Sequence, residues 1–328
     1  MYIVTGGAGF IGSAIIWELN NRGISEILAV DDPAGLSDVK KENLKFLKYK
    51  EFRGKEDFIK ELKCGSYKDI RCILHMGACS TTTERNREYI MDTNYRYSME
   101  LAAEAVKNNI QFIYASSAAT YGDGTNGFND EHSKIETLEP MNLYGESKQL
   151  FDMWVRDEGL LDKIVGLKYF NVYGPNEYHK GEMKSFIVKA YSQIRDSGKV
   201  RLFKSYKDKY AHGEQMRDFI YVKDAVDMTL QFMEHEEVKG IFNIGTGNPR
   251  TWNDLVRAVF KASGNEEDIE YIDMPENIKD QYQYYTCADM NKFKNAGLNF
   301  SPCSLEEGIK DYVDNYLANK RHLGTIDS

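Results

Sequence analysis

The feature that most constrains this chain is a glycine-rich turn within its first twelve residues. Residues 5–12 read T-G-G-A-G-F-I-G and lie between a short apolar run, residues 3–5, and a helix-like stretch, residues 11–21. Residues without a Cβ permit the tight turn and let the backbone approach a pyrophosphate, whose charge is attracted by the N-terminus of the following helix. The spacing therefore predicts a dinucleotide held at Gly6, Gly9 and Gly12.

An acidic residue closes the second predicted strand about twenty residues further on, as in dinucleotide-binding folds. Asp31 ends the apolar run 27–31, where a carboxylate commonly accepts a hydrogen bond from a ribose 2′-hydroxyl, and this favours NAD. Lys40, Lys41 and Lys55 follow downstream and would suit the 2′-phosphate of NADP. These residues by themselves leave NAD and NADP open.

Apolar runs and helix-like stretches alternate through the first half of the chain. The predicted strands are residues 3–5, 27–31, 70–75, 111–116 and 164–170, and the predicted helices are 11–21, 83–107 and one that begins near Tyr144. Short strands buried on both faces and alternating with helices are typical of a parallel sheet covered by helices on both sides.

We therefore predict an α/β fold, a Rossmann-type doubly wound parallel sheet with a smaller, interleaved α/β substrate-binding region. The nucleotide-binding domain is assigned to residues 1–170, with a later segment, about 217–245, returning to it, and the mainly substrate-binding region to 171–328. Beyond residue 171 the pattern is mixed, with predicted helices at 183–197, 251–262 and 305–316 and predicted strands at 200–203, 219–222 and 240–244.

Charge and cysteine content exclude several classes of protein. The 328 residues include 51 acidic and 42 basic ones, a formal net charge of −9, with no basic stripe for a nucleic acid. No apolar run approaches the ~20 residues that cross a bilayer, and the N-terminus lacks the pattern of a secretory signal. The five cysteines show no C-x-x-C spacing, so we expect neither a disulfide framework nor a metal site. We expect a cytoplasmic protein without a membrane partner.

A tyrosine and a lysine are spaced for chemistry beside the predicted dinucleotide. Tyr144 and Lys148 are four residues apart, so on a helix they share one face, and an ammonium beside a phenol lowers the phenol's pKa. Ser116 and Ser117 end the preceding predicted strand, where ligands bind in parallel sheets. The glycine turn, a hydroxyl and this pair together predict redox chemistry on a nicotinamide.

Over essentially its whole length the chain resembles the extended short-chain dehydrogenase/reductases that modify nucleotide sugars. The resemblance is carried by residues 5–12, 115–122, 144–148, 217–224 and 242–247. Three further stretches, residues 77–84, 169–175 and 179–181, are similar to the branch of this family that epimerises ADP-heptose.

The resemblance implies an isomerase that interconverts ADP-D-glycero- and ADP-L-glycero-D-manno-heptose. The reaction would proceed by transient oxidation at C6″ with tightly bound NADP, and would supply heptose for the lipopolysaccharide inner core. The resemblance also implies a homo-oligomer, since known members of the family form pentamers.

Roles for individual residues follow from their match to the positions of the family. Tyr144 and Lys180 match the acid/base pair, Ser117 matches the hydroxyl beside the reacting carbon, and Lys148 matches the lysine that holds the ribose. Residues that match cofactor contacts are Gly6, Gly9, Phe10, Ile11, Gly12, Asp31, Asp32, Lys55, Met76, Gly77, Ala78, Cys79, Ser80, Thr93, Lys148, Val172 and Lys180. Residues that match substrate contacts are Asn171, Glu182, Lys189, Phe203, Lys204, Ser205, Tyr206, Arg217 and Tyr282.

Several of these positions differ from the family pattern. Glu182 stands where serine is usual, Lys189 where histidine is usual, and Met76 where glutamate is usual. Lys204-Ser205-Tyr206 replaces Glu-Gly-Ser, and the segment 206–215 is longer than the pattern.

The same residues bear on three alternative functions. A 4,6-dehydratase would carry an acidic pair after the strand hydroxyl, but Ala118 and Ala119 follow Ser117, which disfavours it. Another nucleotide-sugar epimerase, such as a 4-epimerase, stays the second candidate. A non-catalytic NAD(P)-binding protein could dispense with Tyr144 and Lys148, so their presence argues against it.

Overall fold

The computed structural model describes residues 1–279 and 282–325. Its strands are β1 (Tyr2–Thr5), β2 (Ile27–Asp31), β3 (Glu51–Gly54), β4 (Cys72–His75), β5 (Gln111–Ser117), β6 (Val165–Tyr169), β7 (Asn171–Tyr173), β8 (Val200–Phe203), β9 (Met216–Arg217), β10 (Phe219–Tyr221), β11 (Gly240–Ile244), β12 (Arg250–Thr251) and β13 (Ile269–Ile272). Its helices are α1 (Phe10–Asn21), α2 (Asp38–Lys41), α3 (Lys55–Lys63), α4 (Arg87–Ile90), α5 (Tyr97–Lys107), α6 (Leu143–Asp157), α7 (Phe186–Ser197), α8 (Val222–Glu234), α9 (Trp252–Ala262), α10 (Glu276–Lys279), α11 (Asn291–Asn295) and α12 (Leu305–Tyr312).

Seven parallel strands form the central sheet in the order β3-β2-β1-β4-β5-β6-β11. The chain order reverses between β1 and β4, and in doubly wound sheets such a switch point is where ligands bind, outside the carboxyl ends of the strands. The predicted fold class is confirmed, with all five predicted strands of the first half in this sheet.

Helices cover both faces of the sheet because its central strands are apolar on both sides. On β1, Ile3 packs into a core shared with α3, α5 and α6, while Val4 packs into the core shared with α1 and α8. All of the central positions on this strand are buried, as expected for parallel strands between helical layers.

Several elements of the first half differ from the sequence prediction, including the helices α2 and α3, which were not predicted. The edge strand β3 was not predicted, because its half-buried sequence Glu-Phe-Arg-Gly has no continuous apolar run. The helix predicted for 83–107 begins at Arg87, because the side chain of Asn86 accepts a hydrogen bond from the N–H of Tyr89 at 3.1 Å and caps it. Between α4 and α5, residues Met91–Arg96 form a π-helical segment.

Beyond residue 171 the described part of the chain contains three two-stranded pairs, the helices α7 to α12, and β11 of the central sheet. The pairs are β7 with β10, β8 with β13, and β9 with β12. The helix predicted for 183–197 begins at Phe186, and that predicted for 251–262 is α9, capped by Thr251. The helix predicted for 305–316 is α12 followed by a π-helical segment, Val313–Leu317.

No helix within the described ranges 1–279 and 282–325 is long and apolar enough to cross a membrane.

Candidate active site

A cleft of about 670 Å³ opens at the carboxyl ends of the sheet strands, beside the switch point between β1 and β4. Its walls combine the glycine loop, the turn after β4, the end of β5, the start of α6 and the segment between β7 and α7. The sequence-predicted residues that line it are Gly6, Gly9, Phe10, Ile11, Gly12, Asp31, Met76, Gly77, Ala78, Cys79, Ser80, Ser117, Tyr144, Lys148, Asn171, Val172 and Lys180.

The glycine loop has the geometry of a phosphate cradle. Gly6 lies at φ +64°, and a Cβ on Gly12 would lie 2.1 Å from the carbonyl oxygen of Gly6, so neither position accepts a side chain. Gly9 caps α1 without a side-chain hydrogen bond, and no acidic residue occupies the first turn of that helix. The free N–H groups and the helix dipole therefore suit a pyrophosphate, and the loop fits the dinucleotide that the sequence predicts.

The carboxylate at the end of β2 is engaged on both of its oxygens. Asp31 accepts the N–H of Ala8 at 3.0 Å, which ties the strand end to the glycine loop, and it also accepts the ammonium of Lys40 at 2.7 Å. Lys55 approaches Asp32 at 3.3 Å in an adjoining cavity of about 130 Å³. Two ammonium groups thus flank the end of β2.

Thr93, another predicted cofactor contact, lines the same adjoining cavity as Lys55 and Asp32. Of the three lysines considered from the sequence for a 2′-phosphate, Lys40 and Lys55 line this cavity. Lys41 instead pairs with Asp38 on the surface at 2.9 Å. The position of Asp31 at the end of a strand does not indicate which of the downstream lysines forms an ion pair with it.

The turn after β4 is fixed by a residue that the sequence reasoning missed. Asn94, on the π-helical segment, accepts the N–H of Cys79 at 2.8 Å and donates to the carbonyl oxygen of Cys79 at 3.0 Å. It also donates to the hydroxyl of Ser147 on α6 at 3.0 Å. An asparagine inside a helical pattern carries no signal of such a role in one sequence, because its partners lie 15 and 53 residues away.

His75 lies beneath this turn, at the end of β4. It is buried, with hydrogen bonds to the hydroxyls of Thr5 at 2.6 Å and Ser98 at 2.8 Å. Burial, with a smaller effect of the Lys148 charge, lowers the pKa of His75 to about 3. This histidine is therefore a neutral core residue.

Tyr144 lies in the first turn of α6, next to the end of β5. Asn142 caps the helix by accepting the N–H of Gly145 at 2.8 Å, and Ser117 is the last residue of β5. Burial raises the pKa of the Tyr144 phenol, while the neighbouring Ser117 hydroxyl acts in the opposite direction. In the protein alone the cost of burying a phenolate therefore dominates, and the lowering of this pKa by Lys148 stays a prediction.

Lys148 follows one helical turn later and is almost fully buried. Its ammonium donates to the carbonyl oxygen of Ala115 on β5 at 2.7 Å. Burial lowers the pKa of Lys148 to about 8, against a smaller opposing effect of Asp152. Asp152 itself is bound to Lys168 at 2.6 Å in a fully buried ion pair beneath the site.

Lys180 approaches the cleft from the other half of the chain. It lies on the 3₁₀ turn Tyr178–Met183, and its ammonium is 5.4 Å from the ring centroid of Phe10 in the glycine loop. Burial lowers the pKa of Lys180, and the charge of Glu177 partly opposes this. The sequence-predicted acid/base pair therefore lines one cleft from two separate segments.

Several predicted substrate residues lie outside the cleft lining, and most of them bond other side chains of the protein. Lys189 bonds the carboxylate of Glu182 at 3.1 Å. Lys204 and Tyr206 both contact Asp273, at 3.2 and 2.9 Å. Phe203 ends β8, and Ser205 donates its N–H to His212 at 3.0 Å.

Arg217 and Tyr282 are brought together beside Trp252, a residue that lines the cleft. The buried guanidinium of Arg217 lies 5.5 Å from the ring centroid of Tyr282 and 5.8 Å from that of Trp252. It also donates to the carbonyl oxygens of Met216 and Gln283. Trp252 lines the cleft but was missed in the sequence, where a tryptophan beginning a helix gives no functional signal.

Comparison with known proteins gives this geometry a family context. The model of the family described as "NAD dependent epimerase/dehydratase family" matches residues 2–245. ADP-L-glycero-D-manno-heptose-6-epimerase of Nitratidesulfovibrio vulgaris (strain DP4) is 50% identical over 319 residues, which cover 97% of this chain and 98% of that protein. The protein of the same name from Fusobacterium nucleatum is 44% identical over 334 residues, or 98% of this chain and 99% of its own.

Two solved structures share the whole architecture. Helicobacter pylori ADP-L-glycero-D-manno-heptose-6-epimerase superposes with a TM-score of 0.78 at 28% identity, covering 96% of this chain and 95% of its own. UDP-glucose 4-epimerase from Thermotoga maritima, determined with UDP-glucose, gives a TM-score of 0.77 at 29% identity and covers 98% and 99%.

Proposed function

The chain belongs to the NAD dependent epimerase/dehydratase family, and within that family we propose that it epimerises ADP-glyceromanno-heptose at C6″. One observation carries the proposal: Tyr144, Ser117 and Lys148 share a single cleft with Lys180 and the glycine loop. Relatives at 44–50% identity over nearly the full length bear the name of that activity, which supports the choice of sugar.

The family uses a nicotinamide dinucleotide, and the loop around Gly6, Gly9 and Gly12 fits its pyrophosphate. When bound, the nicotinamide supplies the acceptance and return of a hydride at the reacting carbon. The residues of the chain orient the sugar and transfer one proton to or from its hydroxyl. Ser117 orients the sugar oxygen, and Lys148 holds the ribose.

Tyr144 and Lys180 act as the two acid/base groups, one for each face of the reacting carbon. Burial raises the pKa of the Tyr144 phenol and lowers the pKa of the Lys180 ammonium. Burial therefore disfavours the charged form of each group, which favours a protonated phenol as the acid and a neutral amine as the base at the same sugar oxygen. Neither group needs a metal ion, and none of the described residues forms a cluster that could hold one.

For the dinucleotide we propose NADP rather than NAD. The support is the pair of ammonium groups at the end of β2, Lys40 and Lys55, in a cleft of an otherwise acidic protein. A 2′-phosphate placed there would replace Asp31 and Asp32 as the partner of these lysines. It would accept charge-assisted hydrogen bonds from both ammonium groups.

The test is conversion of purified ADP-D-glycero-D-manno-heptose, followed by proton NMR of the C6″ position. We expect an equilibrium mixture of the two epimers with no added dinucleotide, because the enzyme retains its own. UDP-glucose in the same assay tests the second candidate, a 4-epimerase, for which the T. maritima structure is the supporting observation. Turnover of UDP-glucose alone would overturn the proposal.

Native mass spectrometry of the purified protein tests the remaining expectations together. It reads the mass of the dinucleotide that copurifies, for which we expect NADP. It also counts the subunits, for which the family resemblance implies a homo-oligomer, with five copies in known members.

A further inference from the structure

The turn that precedes Lys180 contains two polar residues that are sealed from solvent and have no role in the reaction described above. Asn176 is 0% exposed and Glu177 is 1% exposed. Buried polar side chains cost free energy unless their hydrogen bonds are satisfied, so a turn that buries both has partners on the elements around it. The partners determine where Lys180 lies.

Asn176 ties this turn to the nucleotide-binding side of the cleft. Its side chain donates to the hydroxyl of Ser13 on α1 at 2.9 Å and accepts the N–H of Leu323 at 2.9 Å. The carbonyl oxygen of Asn176 accepts a hydrogen bond from the side-chain amide of Asn43 at 3.0 Å. The same amide donates to the carbonyl oxygen of Ala8 in the glycine loop at 2.9 Å.

The backbone of Asn176 is left-handed, at φ +77°. A buried residue other than glycine holds such a conformation only where its surroundings determine it, and such residues gather at functional sites. The conformation turns the chain from the end of β7 into the 3₁₀ turn that carries Lys180.

Glu177 ties the same turn to the substrate-binding side. Its carboxylate accepts the N–H of Gly174 at 3.2 Å, the hydroxyl of Ser185 at 2.7 Å and the phenol of Tyr312 at 3.2 Å. Ser185 caps the start of α7, and Tyr312 ends α12. Burial raises the pKa of Glu177, and the hydrogen bonds from Ser185 and Gly174 oppose this.

Glu177 acts on Lys180 in two ways. Its carbonyl oxygen accepts the backbone N–H of Lys180 at 3.0 Å, and its carboxylate charge raises the pKa that burial lowers. The other titratable groups that face this turn are His179, Tyr178 and Tyr312. Lys40 on α2 and Asp31 at the end of β2 act on His179.

We propose that Asn176 and Glu177 form a clamp that positions Lys180 over the glycine loop, so that both are positioning residues for the epimerisation. The inference rests on the proposed role of Lys180 as the second acid/base group. Asn176 fixes the distance from the turn to the dinucleotide loop, and Glu177 fixes the turn against the helices of the substrate-binding side.

The first test is Glu177→Gln, which keeps the shape of the side chain but removes its charge. We expect kcat to fall roughly 10²-fold, the loss that a displacement of about 1 Å causes, while KM and bound dinucleotide stay unchanged. Because Glu177 raises the pKa of Lys180, the limb of the pH profile that belongs to Lys180 moves to lower pH. The matched control is Asp130→Asn, a buried carboxylate that accepts the N–H of Asn243 away from the cleft.

A second variant covers the case in which Glu177→Gln does not fold. Asn176→Gly adopts the left-handed conformation without strain and loses only the hydrogen bonds to Ser13 and Leu323. We expect the same selective loss of kcat, with the dinucleotide retained. Wild-type kcat in either folded variant, or an unmoved pH profile in Glu177→Gln, would overturn the clamp.

Lys180→Met separates failure of the clamp from failure of the catalytic assignment. If Lys180→Met alone is as fast as the wild type, the assignment of Lys180 fails and the clamp fails with it. If Lys180→Met is slow, adding Glu177→Gln to it should reduce the rate less than about twofold, because both changes act through one group. A further loss of about 10²-fold would show that Glu177 acts elsewhere, and would overturn the clamp alone.

Discussion

The two sides of the cleft differ in how their functional residues are held. On the nucleotide side, the glycine loop, Asp31, the turn after β4 and Lys148 each make a hydrogen bond with the backbone of the sheet or of the loop itself. On the substrate side, Glu182 pairs with Lys189, and Lys204 pairs with Asp273, through exposed side chains. One wall is held largely by main-chain groups, and the other side carries exposed polar side chains.

This difference has a physical basis in what each wall recognises. A pyrophosphate and a nicotinamide are the same in every relative that uses them, and backbone N–H groups on a rigid sheet bind them with little reorganisation. A sugar differs from enzyme to enzyme, and exposed side chains can be exchanged without disturbing the core. Changes should therefore be severe on the first wall and mild on the second.

The largest effect is expected for Gly9→Val, in the glycine loop. A Cβ on Gly9 would lie 2.9 Å from the carbonyl oxygen of Gly6, and the branched side chain would fill the space for the pyrophosphate. We expect a marginally stable protein without dinucleotide and without epimerase activity, measured by thermal unfolding and by absorbance of the denatured supernatant. Full dinucleotide occupancy would place the cofactor elsewhere.

The next largest effect is expected where the two walls meet, at Tyr144 and Lys180. Tyr144→Phe removes the proton and keeps the ring, whereas Lys180→Met removes the charge and keeps most of the stem. General acid–base groups contribute about 10²–10⁴-fold each, so both variants should bind substrate and dinucleotide normally but epimerise slower by that factor. A near-normal rate for either one in the NMR assay would remove that residue from the acid/base pair.

The features that could be predicted from the sequence lie mainly on the nucleotide side of the cleft. The parallel strands, the glycine loop and the start of α6 are encoded locally, by apolar runs, glycines and a capping asparagine, and these predictions match the fold. The edge strand β3 was missed because half-buried strands lack a continuous apolar run. Asn94 was missed because its partners lie 15 and 53 residues away. Glu177 was missed because its contact with Tyr312, 135 residues away, exists only after folding.

The substrate side shows a different limit of the sequence. Resemblance assigned Lys189 and Tyr206 to the sugar nucleotide by position alone, and the structure pairs them with Glu182 and Asp273. A position in a family pattern fixes the backbone location of a residue but not the partner that its side chain finds. These assignments stay predictions.

A moderate effect is expected for the lysines at the end of β2. A charge-assisted hydrogen bond contributes about 1.5–3 kcal/mol, so Lys55→Met or Lys40→Met should each weaken NADP binding about 10- to 100-fold and leave NAD binding nearly unchanged. Fluorescence titration of the dinucleotide-free protein measures both. Tighter binding of NAD by the wild type would mean that Asp31 and Asp32 keep these lysines from a 2′-phosphate.

A smaller, pH-dependent effect is expected at Lys148, whose pKa burial lowers to about 8. The ammonium that would hold the ribose is present below that pH and is lost above it. Dinucleotide affinity of the cofactor-free wild type should therefore be constant below about pH 7, fall about twofold by about pH 8 and fall by up to tenfold by about pH 9. Lys148→Met should bind more weakly and show no such fall, and a wild type without the fall would place the ribose away from Lys148.

The smallest effect is expected at the exposed pair on the substrate side. The side chain of Glu182 is 97% exposed, and exposed ion pairs are largely screened by water and salt. Lys189→Met and Glu182→Gln should therefore leave the melting temperature unchanged and alter KM for the nucleotide sugar less than about twofold. A tenfold rise of KM in Lys189→Met alone would show that Lys189 leaves Glu182 to bind the substrate, as the family resemblance implies. Binding of the nucleotide sugar would then depend on the single side chain of Lys189 as strongly as binding of the dinucleotide depends on the glycines of the loop.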